Sequence, residues 1–219
     1  MEPLLVLKDF EVQYTTGGKT IYAVNKVNLT IYRNDSLGIV GESGSGKTTL
    51  AMGLLRLLPR RTARIRGEVR FEGRDLLQLS EGELNSLRWQ ELAVVFQKSM
   101  NSLSPVHRIG TQIEDVYRVH QRSASKSAIR QRASYLFRLV NLPERVYNSY
   151  PHQLSGGMMQ RVAIALSLLH DPKLLIFDEA TTALDVVTQG QILEEILAME
   201  KDFDMTRIMI THDISVVAA

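Results

Sequence analysis

The sequence contains no cysteine. Disulfide bonds, thiolate metal sites and a cysteine nucleophile are therefore excluded as features of this chain. Because disulfides belong mainly to secreted and extracellular proteins, their absence agrees with a cytosolic protein.

Long apolar runs are missing as well. No stretch approaches the roughly 20 apolar residues that a membrane-spanning helix needs, and the N-terminal run, Leu4 to Leu7, is too short for a signal peptide.

An excess of charge of one sign is also absent. The chain has 26 Lys and Arg residues against 24 Asp and Glu, a formal net charge of +2. So balanced a chain has no general basic field, and we expect no nucleic-acid partner. What remains is an ordinary globular composition, 44% hydrophobic and 23% charged over 219 residues. That length makes one large domain or two small ones.

The most informative stretch is residues 41–49, Gly-Glu-Ser-Gly-Ser-Gly-Lys-Thr-Thr, which fits the phosphate-loop pattern. A predicted strand at 36–40 precedes it and a predicted helix at 50–58 follows it. Glycines would let successive backbone N–H groups approach phosphate oxygens, and the helix start adds a positive dipole end. Lys47 would neutralise the outer phosphates, and the Thr48 hydroxyl would bind Mg²⁺. The alternative is a Gly/Ser-rich turn before a helix.

A second glycine-containing helix start occurs at residues 154–160, Leu-Ser-Gly-Gly-Met-Met-Gln. Ser155 is a good N-cap for a helix predicted over 156–170. The glycines leave backbone N–H groups accessible at the positive end of that helix, which makes an anion site. A serine-capped helix start without a ligand fits the same pattern.

Adjacent carboxylates follow an apolar run that ends at Phe177. Such a run is typical of a central parallel strand, and Asp178 and Glu179 at its end are costly unless a cation is near. Asp178 could hold Mg²⁺ and Glu179 could deprotonate a water; an exposed acidic turn is the alternative. A strand predicted over 207–211 is expected to bring His212 to the same edge, either as a structural side chain or as a γ-phosphate donor.

The remaining segments predict an α/β protein that begins with antiparallel strands at 4–14 and 27–32. Tyr14 either packs on its sheet or forms a platform for an adenine ring. The five arginines within 56–66 could contact acidic lipids or nucleic acid, but a solvated helix end and loop is the simpler interpretation. Further strands are predicted at 68–71 and 92–96. Further helices are predicted at 81–87, 109–120, 125–140 and 187–200.

In this order, residues 41–49, Gln97, residues 154–160, residues 175–179, Asp185 and His212 resemble the ATPase domain of an ABC transporter. The resemblance covers the whole chain, and the Leu-Ser-Gly-Gly stretch makes it specific. Within that family the chain is similar to the subunits that drive dipeptide, oligopeptide and nickel importers. The segments that carry this similarity are Phe-Gln-Lys-Ser-Met-Asn-Ser-Leu-Ser-Pro at 96–105 and Tyr-Pro-His-Gln-Leu-Ser-Gly-Gly-Met-Met-Gln-Arg at 150–161.

The resemblance implies a RecA-like P-loop NTPase core with an antiparallel β subdomain, formed by residues 1–97 and 161–219, and an inserted α-helical subdomain at 98–160. It implies ATP and Mg²⁺ as cofactors. The implied catalytic residues are Glu179, His212, Gln97 and Lys47, and the implied metal ligands are Thr48, Gln97 and Asp178. The implied ATP-binding residues are Tyr14, Gly41, Ser43, Gly44, Ser45, Gly46, Lys47, Thr48, Thr49, Ser155, Gly156, Gly157 and Gln160.

The family also implies partners. A second ATP-binding subunit, identical or paralogous, would face this one head to tail around a two-fold axis. Membrane permease subunits would contact residues 98–108, and an extracytoplasmic solute-binding protein would act indirectly. The chain would then be peripheral on the cytoplasmic face of the membrane, where ATP-driven dimer closure would power uptake of peptides or a similar small solute.

Three departures from the family pattern stand out. Ala180 replaces the usual proline after the Asp-Glu pair and should relax that loop slightly. Asn34-Asp35 replaces a usual Gly-Glu turn. The chain also stops soon after His212, where family members continue, so a truncated product is expected.

Other functions fit the same residues less well. Repair ATPases of this superfamily insert long coiled coils, and its translation factors carry two cassettes; neither feature is visible in the sequence. A catalytically inactive scaffold subunit would not need every catalytic position filled. An unrelated phosphate-loop kinase would not need residues 154–160.

Overall fold

The structure is a computed structural model that describes residues 2–97, 102–180, 185–199 and 205–213. Its contacts divide the chain into two units, Met1–Arg88 with Thr206–Ala219, and Trp89–Met205. The helices and strands in chain order are β1 (Pro3–Thr16), β2 (Lys19–Tyr32), β3 (Ser36–Val40), α1 (Lys47–Leu54), β4 (Ala63–Phe71), β5 (Arg74–Asp75), α2 (Glu81–Leu87), β6 (Leu92–Phe96), α3 (Ile109–His120), α4 (Lys126–Leu139), α5 (Gly156–Ser167), β7 (Leu174–Asp178), α6 (Val186–Met199) and β8 (Thr206–Thr211).

The first unit contains an antiparallel sheet with the strand order β2-β1-β4-β5. β1 and β2 form a hairpin, and its turn has Gly17 and Gly18 at φ 58° and 75°. Glycine adopts this left-handed region without a Cβ clash, so the predicted turn forms where the two glycines stand. The apolar side chains that the sheet buries include Leu5, Leu7, Phe10, Val12, Val69 and Phe71.

The arginine-rich segment corrects one expectation, because part of it is a strand and not a loop. Ala63 and Ile65 turn toward the interior while Arg64 and Arg66 are exposed, the alternation of a half-buried strand. Arg64 and Arg66 lie opposite Gln13 and Glu11 of β1. Arg56, before the strand, donates hydrogen bonds to the carbonyls of Leu76 (3.0 Å) and Leu79 (2.6 Å) and so connects two segments of its own unit.

The turn before β3 explains the Asn34-Asp35 departure. Asn34 has φ 64°, a conformation that asparagine tolerates better than most residues. Its backbone N–H donates to Thr206 Oγ1 at 2.9 Å, and the Asp35 carboxylate accepts from the Tyr32 N–H at 2.8 Å. The Arg207 N–H donates to the Asp35 carbonyl at 3.0 Å, next to the parallel ladder of β3 and β8. The turn therefore sets the start of that strand pair.

The second unit contains the parallel pair β6 and β7 and four helices, α3 to α6, among its described residues. All five residues of β7 are buried, as expected of a central parallel strand. Helix α5 ends at Ser167, three residues before the predicted end at His170, and a turn follows it that closes at Asp171 (φ 52°) and Pro172. Helices α3 and α4 carry the buried residues Ile109, Ile113, Ile129, Ala133, Leu136 and Phe137.

The predicted helical subdomain at 98–160 belongs to this second unit, and its boundaries stay a prediction. Residues 98–101 lie outside the described residues. Within the segment, α3 packs closely against the short helical turn Glu144–Asn148, since a Cβ on Gly110 would overlap the ring of Tyr147. Among the helices described, none is long and apolar enough to cross a membrane.

The Gly110 contact predicts a stability difference between two helix glycines. Gly110→Ala should lower the free energy of unfolding by about 1–3 kcal/mol, because its methyl group would displace the Tyr147 ring. Gly82 also stands second in its helix, α2, but has open space around it. Gly82→Ala should therefore leave stability unchanged or raise it by up to about 1 kcal/mol. Urea unfolding curves test the pair, and equal effects of the two substitutions would contradict the packing.

Candidate functional site

The phosphate-loop sequence connects the end of β3 to the start of α1 in the first unit. Gly46 is the N-cap of α1 and has φ 97°, while Gly44 has φ 83°. A Cβ on Gly46 would overlap the carbonyl of Ala23 on β2. Only glycine fits there, because the left-handed backbone and the neighbouring strand both exclude a side chain. The loop is thus set against the antiparallel sheet of its own unit.

Lys47 is the first residue of α1 and is only 8% exposed. Its Nζ donates to the carbonyl oxygens of Gly41 (2.7 Å) and Glu42 (2.8 Å). The ammonium group therefore sits within the loop and closes it. Thr48 is exposed and Thr49 half-buried on the first turn of α1, whereas Ser43, Gly44 and Ser45 are exposed in the loop. A positive charge, glycine backbone and a helix N-terminus come together, as anion binding requires.

Two further predicted residues lie in the same unit as the loop. The parallel register pairs Val40 with Thr211, so Gly41 and His212 follow neighbouring strand ends. Tyr14 is half-buried and lies opposite Ile21, which is 58% exposed. Ile21 is two positions along β2 from Ala23, the residue against Gly46, a spacing of about 7 Å. Tyr14 is therefore linked to the loop through β2, with Ile21 as its partner and Ala23 as the loop contact. Sequence reasoning missed Ile21 as the neighbour of Tyr14.

The carboxylates lie in the second unit. Asp178 ends β7 and is 2% exposed. The register pairs it with Phe96 of β6, so Gln97 and Glu179 follow neighbouring strand ends as well. Glu179 has φ 49°, and a non-glycine residue in this region is uncommon and often functional. Ala180 is buried, while residues 181–184 of the following predicted loop lie outside the described residues.

The second predicted anion site is the start of α5. Ser155 is the N-cap, and its Oγ accepts a hydrogen bond from the Met158 N–H at 3.2 Å. Gly156 and Gly157 are the first two helix residues, and Gln160, one turn on, is fully buried. The predicted serine cap and helix start are present in the structure.

Helix α6 contacts α5 at two places that the sequence did not predict. Arg161 donates to both carboxylate oxygens of Glu195, at 2.9 and 2.8 Å, with side chains only 14% and 10% exposed. Asn141 donates to the same carboxylate at 2.8 Å. Near the helix starts, Thr188 of α6 lies against Gly157. These partners are more than 30 residues apart along the chain, so no local pattern could indicate them.

Comparison with known proteins identifies the architecture. The ABC transporter family model matches residues 24–182. The chain belongs to the ABC transporter family. The predicted family and the predicted fold class are thereby confirmed, and the fold agrees with solved structures of cassettes. The dimeric, post-hydrolysis structure of the ATP-binding cassette MJ0796 with ADP and Pi superposes with a TM-score of 0.85 at 34% identity, covering 97% of this chain and 89% of that one. For cbiO1 of Clostridium perfringens, part of the ABC transporter complex cbiONQ, the TM-score is 0.78 at 26% identity, covering 99% of this chain and 81% of that one.

Relatives of this ABC transporter chain include oligopeptide transport ATP-binding proteins. OppD of Bacillus subtilis strain 168 is 44% identical over 218 residues, 98% of this chain and 61% of the relative. OppD of Escherichia coli K12 is 43% identical over 219 residues, 99% and 64%. The probable peptide ABC transporter ATP-binding protein y4tR of Sinorhizobium fredii is 44% identical over 218 residues, 98% and 65%. The chain thus spans just under two thirds of the length of these relatives.

The side chains of the described residues can be compared with those that hold Mg²⁺ in nucleotide sites. In the described ranges there is no cluster of three or more His, Asp or Glu side chains that could hold a metal by itself. Mg²⁺ in nucleotide sites takes one or two protein oxygens and completes its shell with phosphates and water. The buried Asp178 carboxylate and the exposed Thr48 hydroxyl are oxygen donors of that kind. Each of these two residues, taken by itself, therefore has the donor chemistry of a Mg²⁺ ligand in a nucleotide site.

The pair of Arg161 and Glu195 generates a stability prediction. Glu195→Gln should lower the free energy of unfolding by about 1–3 kcal/mol, because it leaves a largely buried guanidinium without its carboxylate. Glu194 is the neighbouring residue of α6 and is exposed. Glu194→Gln should change stability by less than about 0.5 kcal/mol. Thermal unfolding in low and high salt tests both variants. A loss of stability for Glu195→Gln no larger than the control's would contradict a stabilising pair of Arg161 and Glu195.

Proposed function

We propose that this chain is the ATP-hydrolysing subunit of an importer for peptides or a similar small solute. The observation that carries the proposal is the closed loop of the first unit, with Lys47 held by two carbonyls of its own loop at the start of α1. The identity of 43–44% with OppD proteins supports the peptide class. The ADP and Pi in the cassette MJ0796 support the nucleotide.

In the proposed ATP site the triphosphate lies along the loop. Backbone N–H groups of the loop and α1 face the phosphates, and Lys47 exchanges its carbonyl partners for the outer phosphates. Tyr14, half-buried and opposite Ile21 on the neighbouring strand, stacks on the adenine ring. The residues proposed to bind ATP from this unit are Tyr14, Gly41, Ser43, Gly44, Ser45, Gly46, Lys47, Thr48 and Thr49.

The proposed hydrolytic groups follow from their chemistry. Thr48, Gln97 and Asp178 would hold Mg²⁺, which when bound neutralises phosphate charge. Glu179 holds the attacking water and takes its proton, and the bond between the γ-phosphorus and the bridging oxygen breaks as water adds. His212 donates a hydrogen bond to the γ-phosphate. Lys47 stabilises the charge that the products carry.

The proposed partner completes the site. Ser155, Gly156, Gly157 and the buried Gln160 beneath them form a helix tip that binds the γ-phosphate held by Lys47 of a second ATP-binding subunit, head to tail. ATP then favours the closed pair because it binds that state more tightly. The two dimeric MJ0796 structures support the pairing of two ATP-binding cassettes.

The transport partners are membrane permease subunits, with an extracytoplasmic solute-binding protein acting through them. The chain is then peripheral on the cytoplasmic face. Gln97 and the segment through Arg108 would pass the nucleotide state to the permease. Purifying the protein from membranes with its co-assembled subunits, and measuring ATP-dependent uptake of a tripeptide into vesicles, tests the transport step; a permease that moves no peptide would contradict the solute class.

Lys47→Ala should weaken nucleotide binding, because the loop loses the charge that neutralises the phosphates. The loss of a charge-assisted hydrogen bond predicts a Kd for ATP raised by about tenfold or more. Lys19→Ala, at an exposed position of β2, is the matched control. Titration with a fluorescent ATP analogue measures both variants. Unchanged affinity in Lys47→Ala would rule out the loop as the phosphate site.

Glu179→Gln should bind ATP but turn it over about 10²–10⁴-fold more slowly, because the amide cannot take the proton of the attacking water. Phosphate release under saturating Mg-ATP measures turnover, and titration measures affinity. Glu144→Gln, at an exposed position of the second unit, controls for the loss of one negative charge. Hydrolysis at the parent rate in Glu179→Gln would remove this residue from the role of base.

A further inference from the structure

Helix α6 contacts the tip of α5 at Gly157, one of the residues proposed to bind the phosphate. A Cβ built on Gly157 would lie 2.8 Å from Thr188 Cγ2, closer than such carbon atoms approach each other. We propose that Thr188 is a positioning residue for the α5 tip, and that residue 157 must be glycine because the Thr188 methyl group occupies the space of its side chain. This inference rests on the proposed function, in which the α5 tip binds a partner's γ-phosphate.

The Thr188 methyl group cannot easily turn away from Gly157. The Thr188 Oγ1 donates to Asp185 Oδ2 at 2.7 Å, and the Thr188 N–H donates to Asp185 Oδ1 at 3.0 Å. The hydrogen bond from the Thr188 backbone N–H contributes most, and together with the hydroxyl bond it holds the pKa of Asp185 below its ordinary value. Since threonine is branched at Cβ, fixing its hydroxyl also fixes its methyl group. The cap of α6 therefore directs Cγ2 toward the α5 tip.

Helix α5 cannot easily move away either. Arg161 follows Gly157 by four residues, and Glu195 follows Thr188 by seven, so both contacts lie on the facing sides of the two helices. The bidentate pair of Arg161 and Glu195 holds the helices together about one turn further along α5. Asn141 adds a third side chain to this clamp. With the clamp in place, extra volume at residue 157 has to displace the α5 tip itself.

Steric exclusion by Thr188 predicts a different result from the common explanation of such a glycine, which is that a phosphate must approach its backbone. If only the phosphate excludes a side chain, Gly157→Ala is harmful whatever stands at position 188. If Thr188 excludes it, removing Cγ2 restores the space. Thr188→Ser removes that methyl group and keeps the hydroxyl that holds Asp185. The pair of substitutions therefore separates the two causes.

The experiment measures ATP-induced pairing of the chain in the Glu179→Gln background by sedimentation with Mg-ATP. Gly157→Ala should lower the association constant by about tenfold or more, as overpacked sites do. Gly157→Ala with Thr188→Ser should recover to within about threefold of Thr188→Ser alone, since the overlap with Cγ2 is gone. Gly190→Ala is the control, because this α6 glycine has open space around it. ATP affinity of the unpaired chain should stay within error of the parent in every variant that is compared, and pairing is measured well below the unfolding midpoint of each.

Each outcome of this experiment either supports or overturns the positioning role of Thr188. Recovery in the double variant supports the positioning role, because it shows that the Thr188 methyl group, and not the phosphate, excludes a side chain at residue 157. Gly157→Ala that pairs like its parent, or a double variant as weak as Gly157→Ala alone, overturns the inference and leaves the proposed function standing. If the Glu179→Gln parent does not pair with itself in Mg-ATP at all, an identical partner subunit is ruled out and the inference fails with it, whereas the proposed ATP site at Lys47 is decided by its own titration. Should Gly157→Ala not fold, a double variant that folds and pairs still supports the inference, and one that also fails to fold overturns it.

Discussion

The structure depends on one steric constraint in the first unit, the contact between Gly46 and the carbonyl of Ala23. Because Gly46 takes a left-handed backbone against that strand, α1 begins at Lys47 with its first turn directed back toward the loop. Lys47 then donates to the carbonyls of Gly41 and Glu42. A cation, a helix N-terminus and glycine backbone converge through that contact, and each alone would be a weak anion site.

In the second unit, a glycine-containing helix start is held in place by side-chain contacts with another helix. Its helix start at Ser155 has glycines in the first turn, but α5 is located by contacts with α6: a methyl group against Gly157 and the pair of Arg161 and Glu195. Asp185, which caps α6, is thereby connected to the α5 tip through a single side chain, Thr188. Under the proposed function this tip binds a phosphate held by another subunit, and rigid support then matters because small displacements weaken charged contacts steeply.

Much of the fold was predictable because its signals are local. The bounds of β3, α2, β6 and α3 were predicted residue for residue, since short apolar runs, the Ser80 cap and helical periodicity mark them. The beginning of β2 at Lys19 was not predicted, because its first four residues are exposed and show no alternation. The strand character of Ala63 to Arg66 was missed for the related reason that pairing with β1 outweighs local charge.

The residues of the candidate site also divide into those with a local sequence signal and those without one. The loop, the Asp178 strand end and the Ser155 cap could be predicted because each is one continuous segment whose chemistry requires particular residues in a particular order. Ile21 beside Tyr14, Thr188 against Gly157, and Glu195 with Arg161 could not be predicted. Their partners come together only through tertiary packing, and a side chain such as Glu195 looks no different in the sequence from the exposed Glu194.

The central claim is that a triphosphate is held between the Lys47 loop of one subunit and the Ser155 tip of another. Since the chain has no cysteine, it allows a direct measurement: Glu42→Cys in the loop and His152→Cys before the tip, joined by a short thiol cross-linker in the Glu179→Gln background. The account predicts a cross-link between two chains that forms with Mg-ATP and is lost with ADP. Cross-linking that is equal with both nucleotides, or absent with Mg-ATP even when the co-assembled ATP-binding subunit carries one of the two cysteines, would contradict it.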